Sequence, residues 1–173
     1  MKQAHSPTKR TILTIVSGVL TGAICLVMNL WLMPAIERTT EGIRCFDMNF
    51  GYDFETAKRF LSLLDERGRD LYLHAQLPLD FFYPVCYTVF FLCMFAILWQ
   101  GAKWLAALPA CLAVLDYTEN VLTIVMLKSQ TLTKPLATAA SVVTREKTIL
   151  MYLIFALLIA GLIRYLVQKK KAK

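Results

Sequence analysis

A concentration of polar side chains interrupts an otherwise apolar segment at Asp116-Tyr117-Thr118-Glu119-Asn120. An ionisable residue at the centre of a bilayer costs about 2.5–3.5 kcal/mol on insertion scales, so it indicates a site with a partner. Asp116, Glu119, Asn120 and Thr123 are spaced three or four residues apart and therefore share one face of a helix. Val114 and Val121 lie on the other face, which suits lipid, so the polar face is predicted to turn inward. Acids and an amide in this pattern can bind a cation, a proton or a hydrogen-bonding ligand. They can equally hold neighbouring helices together through interhelical hydrogen bonds.

Residues at a similar depth in the other predicted spans are candidate partners for this polar face. Two carboxylates one helical turn apart in a low dielectric cannot both stay charged at low cost, so a basic counter-ion is expected. Arg145 and Lys147, which precede the fourth apolar segment, are the two candidates. The predicted ligand-binding set, with no residue assigned a catalytic role, is Asn29, Asp80, Tyr83, Asp116, Glu119, Asn120, Arg145 and Lys147.

The composition indicates an integral membrane protein. Of the 173 residues, 57% are hydrophobic and 18% are charged, and the mean hydropathy of +0.53 lies outside the usual range of soluble domains. The apolar runs have the length of about 20 residues that a membrane-spanning helix needs. We predict an all-α polytopic membrane protein, a four-helix transmembrane bundle in a single domain over residues 1–173, with spans at about 11–33, 79–100, 102–127 and 147–167.

Lysine and arginine residues predict the orientation of the spans. The amino-terminal leader, Lys103 and the tail with Arg164 and Lys169–Lys171 fall on one side of a four-span bundle, which places both termini in the cytoplasm. The net charge of +7 is thereby explained without nucleic acid as a partner. Membrane lipids are the expected partners, and homo-oligomerisation is left open. The predicted membrane is a bacterial inner membrane, or the endoplasmic reticulum if the tail Lys170-Lys171-Ala172-Lys173 is a eukaryotic dilysine signal.

The segment 34–78 is predicted to be an external loop. It contains six basic and eight acidic residues, a net charge of −2. Asp53 is predicted to cap an amphipathic helix that ends at Gly68. This helix is either a lid packed on the bundle or an interfacial helix that senses or admits a lipid. Cys45 is the only cysteine of the loop, and we expect it to be accessible as a free thiol or an intermolecular partner.

Three further patterns predict packing. Pro34 is predicted to end the first span. Gly18 and Gly22, four residues apart, predict a close helix contact. The aromatic cluster at the start of the second span predicts a belt at the membrane boundary; its members are Phe81, Phe82, Tyr83 and Tyr87.

The chain offers little for catalysis or metal binding. Its only histidines, His5 and His74, are remote from the acidic cluster in sequence, and it contains no Cys-x-x-Cys pair. Carboxylates alone suit only a hard cation. We therefore predict no metal and no cofactor, and an enzyme is not the favoured reading.

Two resemblances follow from the motifs. The patterns Asp80-x-x-x-Pro84-x-x-Tyr87 and Asp116-Tyr117-x-Glu119-Asn120 resemble those of a family of small, uncharacterised four-span bacterial membrane proteins. That resemblance implies a four-helix membrane protein and no particular activity. A weaker likeness, to the sterol-isomerase and sigma-2-receptor superfamily, implies sterol or lipid binding, although Asn29 stands where that superfamily has an acid. The sequence thus leaves open a binding site, structural polar packing in a scaffold or assembly protein, and an isomerase-like function.

Overall fold

Four long helices form the framework of the molecule. The computed structural model describes residues 9–171, and it contains no β-strand within that range. The helices that are long and apolar enough to cross a membrane are span 1 to span 4 in chain order: Lys9–Thr40, Glu66–Leu98, Lys103–Lys128 and Lys134–Lys171. The prediction of an all-α four-helix bundle is confirmed. Lys2, His5 and the last two residues of the predicted dilysine tail lie outside the described residues.

Span 1 does not end at Pro34. An α-helix over Lys9–Val27 widens into a π-helical turn at Met28–Leu32 and continues as Met33–Glu37, followed by a 3₁₀ turn at Arg38–Thr40. Proline lacks an N–H group and its ring clashes with the carbonyl of the preceding turn. The wider π turn changes the hydrogen-bond pattern just before the ring, so the helix passes through the proline. The prediction that span 1 stops before Pro34 is therefore wrong.

Span 2 repeats this arrangement around Pro78. It begins with an α-helix over Glu66–Leu71, widens into a π-helical turn at Tyr72–Gln76 and continues as Leu77–Leu98. It therefore starts 13 residues before the predicted position 79. The π turns of spans 1 and 2 pack against each other, so the two irregular segments form one contact.

The loop between spans 1 and 2 folds onto the bundle. It contains a 3₁₀ turn at Phe46–Met48 and an α-helix over Phe54–Leu63, called the loop helix. The prediction that Asp53 caps this helix is confirmed, because its carboxylate accepts a hydrogen bond of 2.7 Å from the Thr56 N–H. Hydrogen bonding to the Thr56 side chain, followed by the bond from the Thr56 N–H, lowers the pKa of Asp53.

Gly68 is not the stop of the loop helix. The loop helix ends at Leu63, and Asp65 caps span 2 by accepting a bond of 2.6 Å from the Gly68 N–H. Gly68 is buried inside span 2, where an added Cβ would overlap the Thr39 side chain of span 1. Gly68 therefore allows spans 1 and 2 to approach closely, and it does not end a helix.

Cys45 is buried, contrary to the expectation that its thiol is accessible. Its side chain is 0% exposed, and its Sγ atom lies 3.9 Å from the Met33 carbonyl oxygen of span 1. Burial, followed by the nearby charges of Asp47 and Glu37, raises the pKa of the Cys45 thiol. Cys45 is a free thiol, which was one of the two predicted alternatives, but the expected accessibility is wrong because the loop folds this side chain into the core.

Spans 3 and 4 form an antiparallel pair. Span 3 begins with a 3₁₀ turn at Lys103–Ala106 and continues as an α-helix over Ala107–Lys128. Span 4 is one α-helix that starts at Lys134, 13 residues before the predicted position 147. Consecutive spans pack against each other and span 2 also contacts span 4, whereas spans 1 and 4 make no substantial packing contact.

The bundle has two apolar core clusters. One lies beside the loop and includes a group of rings, with Phe46 and Phe60 at a centroid distance of 4.7 Å. The other lies deeper along spans 2, 3 and 4, around Tyr87, Phe91 and Ile154.

Apolar and polar faces of the spans are separated. In span 3, Asp116, Glu119, Asn120 and Thr123 are buried while Val114 and Val121 are exposed, so the inward polar face predicted for this helix is confirmed. In span 1, Gly18 lies against the Phe90 ring, but a Cβ added to Gly22 would meet no atom within 4 Å. Only the first glycine of the predicted pair therefore marks a close contact.

Candidate functional site

A lysine bridges two buried carboxylates inside the bundle. Lys147 of span 4 forms ion pairs with Asp116 and Glu119 of span 3, with 3.2 Å between Lys147 Nζ and Asp116 Oδ1. The side chains of both acids are 3% exposed or less, and that of Lys147 is 13% exposed. Since positions 116 and 119 lie one turn apart, a single ammonium group reaches both acids.

Two neutral donors complete the coordination of these acids. The Tyr87 hydroxyl of span 2 donates to Asp116 Oδ2 at 2.9 Å. The Thr144 hydroxyl of span 4 donates to Glu119 Oε1 at 2.5 Å. Tyr87 is fully buried and thus does not belong to the predicted aromatic belt, whereas Phe82 is 53% exposed.

A cavity of about 130 Å³, called the acidic cavity, adjoins this network. Its apolar wall contains Cys25, Met28, Met33, Met48 and Met151. Its volume exceeds the roughly 30 Å³ that one water occupies in the liquid, so it has room for several waters or a small polar head group. The polar wall is formed by Asn29, Asp47, Asp80, Tyr83, Asp116 and Lys147.

Asp80 is the acid of this cavity that lacks a donor. It is 5% exposed, and within residues 9–171 no side-chain or backbone group donates a hydrogen bond to its carboxylate. A buried carboxylate without a partner is costly, because desolvation is not offset by hydrogen bonds or an opposite charge. Asp80 therefore requires a proton, a cation or a donor from outside the chain.

The loop supplies one of the acids of the cavity. Asp47 Oδ1 accepts a bond of 2.7 Å from the Tyr72 hydroxyl, and Asp47 Oδ2 accepts one of 3.5 Å from the Gln76 amide. Both donors lie in the π turn of span 2, so this irregular segment holds the loop acid in place. Gln76 is itself fully buried, and its Oε1 atom has no partner in the described part of the chain.

The same loop is attached to span 4. The Tyr52 N–H donates to Ser141 Oγ at 2.8 Å. Gly51 has a φ of +84° and lies against Ser141 and Arg145, where a Cβ would approach Ser141 Oγ to 3.2 Å. Burial, then the negative charge of Glu119, raises the pKa of the Tyr52 phenol, so this ring stays neutral over the cluster. The loop thus forms a roof on the acidic cavity.

The predicted site residues do not all meet. Asp116, Glu119 and Lys147 form the ion-pair network, and Asn29, Asp80 and Tyr83 line the cavity beside it. Asn120 is buried on the same face of span 3, and its Nδ2 atom has no partner among the described residues. Arg145 is exposed and lies beside Gly51, outside the network.

Residues that the sequence analysis did not assign to the site are Asp47, Tyr87 and Thr144. Tyr87 and Thr144 sit on the inward faces of spans 2 and 4, and Tyr87 belongs to the motif that includes Asp80. Their position on polar helix faces is a signal in the sequence, but it does not identify the acid with which each one pairs. Asp47 could not be found this way, because only tertiary folding brings the loop to the cavity.

The larger grooves on the molecule have a different character. One of about 410 Å³ lies by Arg10, Trp99 and Lys103, and another of about 470 Å³ lies by Arg164 and Lys169. Neither is lined by a buried charged residue. The buried acids Asp80 and Asp116 line the smaller acidic cavity instead.

The arrangement can bind a positive charge or a hydrogen-bond donor. Across residues 9–171, no group of three or more histidine, cysteine, aspartate and glutamate side chains is placed to hold a metal ion. Asp47, Asp80, Asp116 and Glu119 face a single lysine, which leaves an excess of acidic groups.

No protein-family model, no curated protein and no solved structure matches the chain. The family resemblances drawn from the sequence motifs therefore stay predictions.

Proposed function

We propose that the chain is an integral membrane protein that binds the cationic or hydrogen-bonding group of a small molecule or lipid in the acidic cavity. The observation that carries this proposal is Asp80, a buried carboxylate that faces the cavity without a donor from residues 9–171. A bound ammonium or hydroxyl group would offset the cost of burying that carboxylate. Tyr83 adds an aromatic ring to the same wall, which is favourable beside a cation.

Structural polar packing is the second candidate. It is favoured by the ion pairs of Lys147 and by the bonds from Tyr87 and Thr144, which join spans 2, 3 and 4. It explains Asp116 and Glu119, each of which has an ion-pair partner and a hydroxyl donor within the bundle. It does not explain Asp80, and for that reason we prefer a binding function.

We also propose that both termini lie in the cytoplasm and that the loop lies outside. Arg10 and Lys103 line one groove with Trp99, and Arg164 stacks over Trp99 at 5.6 Å, so these three basic residues cluster around one aromatic side chain. Clustered basic residues are typical of the cytoplasmic side. A bacterial inner membrane is the favoured location, with the endoplasmic reticulum as the alternative for a eukaryotic source.

Orientation is tested by cysteine labelling at an exposed loop position. Since Cys45 is buried, the reporter is Lys58→Cys on the loop helix, with Gln168→Cys at the basic end as its matched control and Cys111→Ser as background. An impermeant maleimide should label the loop reporter in intact cells and the control only after lysis. The reverse pattern would overturn the proposed orientation.

Binding is tested with butylammonium chloride on protein purified in mild detergent. A ligand that binds only the folded state raises stability by about 1.4 kcal/mol at ten times its Kd. We expect butylammonium to raise the thermal midpoint more than butanol or sodium chloride does. Asp80→Asn should remove this shift, and Asp70→Asn, the same change at an exposed position of span 2, should keep it. A wild-type protein that does not respond would favour structural packing.

A further inference from the structure

The acidic cavity is closed by the loop but not by its flanking spans. Asp47 and Met48 of the loop cover it, and the 3₁₀ turn that carries them packs on span 4. Its side walls come from span 1, through Asn29, and from span 4, through Met151. Since spans 1 and 4 make no substantial packing contact, the cavity borders a lateral gap between them.

Exposed aromatic residues lie near both sides of the gap. Trp31 of span 1 is 73% exposed and lies two residues from Asn29. Tyr152 of span 4 is 66% exposed and follows Met151. Exposed tryptophan and tyrosine residues are typical of the lipid headgroup region, where one end of the ring is apolar and the other is wet.

Polar and apolar side chains both line the cavity. Its volume of about 130 Å³ accommodates a head group but not an acyl chain. Met28, Met33 and Met151 belong to its apolar wall, and methionine side chains adapt to irregular apolar ligands. A ligand with its head beside Asp80 would have its chain between spans 1 and 4.

We propose, building on the binding function above, that the ligand is an amphiphile with a protonated amine, which reaches the acidic cavity sideways from the bilayer between spans 1 and 4. The charge of the site favours an amine. Lys147 already pairs with Asp116 and Glu119, which leaves Asp80 and Asp47 without a cation from the described residues. An ammonium group supplies both the charge and the hydrogen-bond donors that Asp80 lacks.

The experiment compares two ammonium ions that differ only in chain length. Butylammonium and dodecylammonium are titrated by calorimetry into the protein in phosphatidylcholine nanodiscs, with empty nanodiscs as the blank and dodecanol as the chain-matched neutral control. We expect dodecylammonium, referred to its aqueous concentration, to bind at least tenfold more tightly than butylammonium, and dodecanol to bind more weakly than either.

Variants at the gap identify the path of the chain. Met151→Phe should reduce the advantage of the longer chain at least tenfold, whereas Ile159→Phe, an exposed position lower on span 4, should keep it. Asn29→Phe narrows the gap from the opposite wall and serves the same purpose if the first variant does not fold.

Each other result overturns a defined part of the argument. If butylammonium binds and the longer chain brings no gain, the lateral path is wrong and the proposed binding function stands. If the gain persists in the gap variants, the chain does not pass between spans 1 and 4. If dodecanol binds as tightly as dodecylammonium, the proposed amine is wrong, and if none of the three compounds binds, the proposed binding function is overturned.

Discussion

At the scale of single residues, the choice of counter-ion depends on which face of span 4 turns inward. Arg145 and Lys147 are two residues apart, and each residue turns a helix by about 100°, so the two side chains point to nearly opposite sides. The sequence offered both as partners of the acids. In the folded molecule Lys147 bridges Asp116 and Glu119, and Arg145 is exposed beside Gly51.

Replacement of Lys147 by methionine tests this assignment. The substitution leaves two buried acids without a cation, and breaking a buried pair from one side costs about 3–5 kcal/mol. We expect Lys147→Met to lower the free energy of unfolding, measured by denaturant titration in mixed micelles, by that amount. Arg145→Met, two residues away, should change it by less than about 0.5 kcal/mol. Equal effects of the two variants would contradict the ion-pair network.

Cys45 provides a test at a residue outside the spans. Its thiol pKa is raised by burial, and the thiolate is the reactive form, so the folded protein should react slowly at neutral pH. Between pH 7 and pH 9 the labelling rate of a cysteine introduced by Arg59→Cys should rise with its thiolate fraction, while that of Cys45 should stay low. Rapid labelling of Cys45 in folded protein would show that the loop does not pack as described.

At the scale of elements, the contact between the ends of spans 1 and 2 depends on a missing side chain. Gly68 is buried, and Thr39 and Leu64 occupy the space where its Cβ would project. The two helices therefore approach more closely here than any larger residue would permit. The same contact places the π turn of span 2, with Tyr72 and Gln76, against the loop acid Asp47.

Gly68→Ala should separate these helices. Forcing a methyl group into a packed contact costs about 1–3 kcal/mol, which we expect as a loss of unfolding free energy. Combining it with Thr39→Ala removes the overlapping hydroxyl and should recover part of the loss, as a double-mutant cycle would measure. Gly22→Ala is the matched control, because its Cβ meets open space and alanine favours a helix over glycine by about 1 kcal/mol. Absence of coupling between positions 39 and 68 would contradict the close approach.

The elements also show what could be predicted from the sequence and what could not. Hydropathy and charge predict four spans, and the spacing of positions 116, 119, 120 and 123 predicts the inward polar face, because both properties are local. The continuation of span 1 through Pro34 was missed because a proline in sequence looks the same whether or not a π turn precedes it. Gly68 was misread for a similar reason: a glycine marks a helix end or a close packing contact, and only the neighbouring Thr39 distinguishes them.

Long-range contacts limited the prediction of the site in the same way. Tyr87 and Asp116 are 29 positions apart, and Tyr72 and Asp47 are 25 apart. Helix-face arguments within one span cannot pair such residues, since the rotation of each helix about its axis is set by packing. The candidate acids were therefore predictable as a group, whereas their individual partners were not.

At the scale of the whole molecule, the side chains are distributed as in a membrane protein. Charged and polar groups such as Asp116 and Glu119 are buried, while apolar residues such as Val19, Val114 and Ile159 are 60–65% exposed. In water this surface would favour aggregation. In a bilayer it is the stable arrangement, because the lipid chains solvate the apolar side chains and the bundle shields the polar ones.

A lysine on this surface distinguishes the two environments. At an exposed position of a soluble bundle Ile159→Lys would be neutral or favourable, but at the centre of a membrane helix lysine costs about 2.5–3.5 kcal/mol. We expect Ile159→Lys to reduce the fraction of chain that resists alkaline extraction from membranes, and Gln168→Lys at the basic end to leave it unchanged. A soluble, folded Ile159→Lys protein would argue against a membrane-spanning bundle.

The π turn of span 1 makes the number of residues in that span important. Met28–Leu32 takes one residue more than an α-helical turn, so everything beyond it is rotated by about 100° relative to a continuous α-helix. Deletion of a single residue there would leave the hydropathy of the span almost unchanged. It would nevertheless turn Met33 and Ile36, both buried, toward the outside. We therefore expect the span to tolerate the exchange of one apolar residue for another far better than the deletion of one. The number of residues in span 1, and not only its hydropathy, determines which side chains are buried.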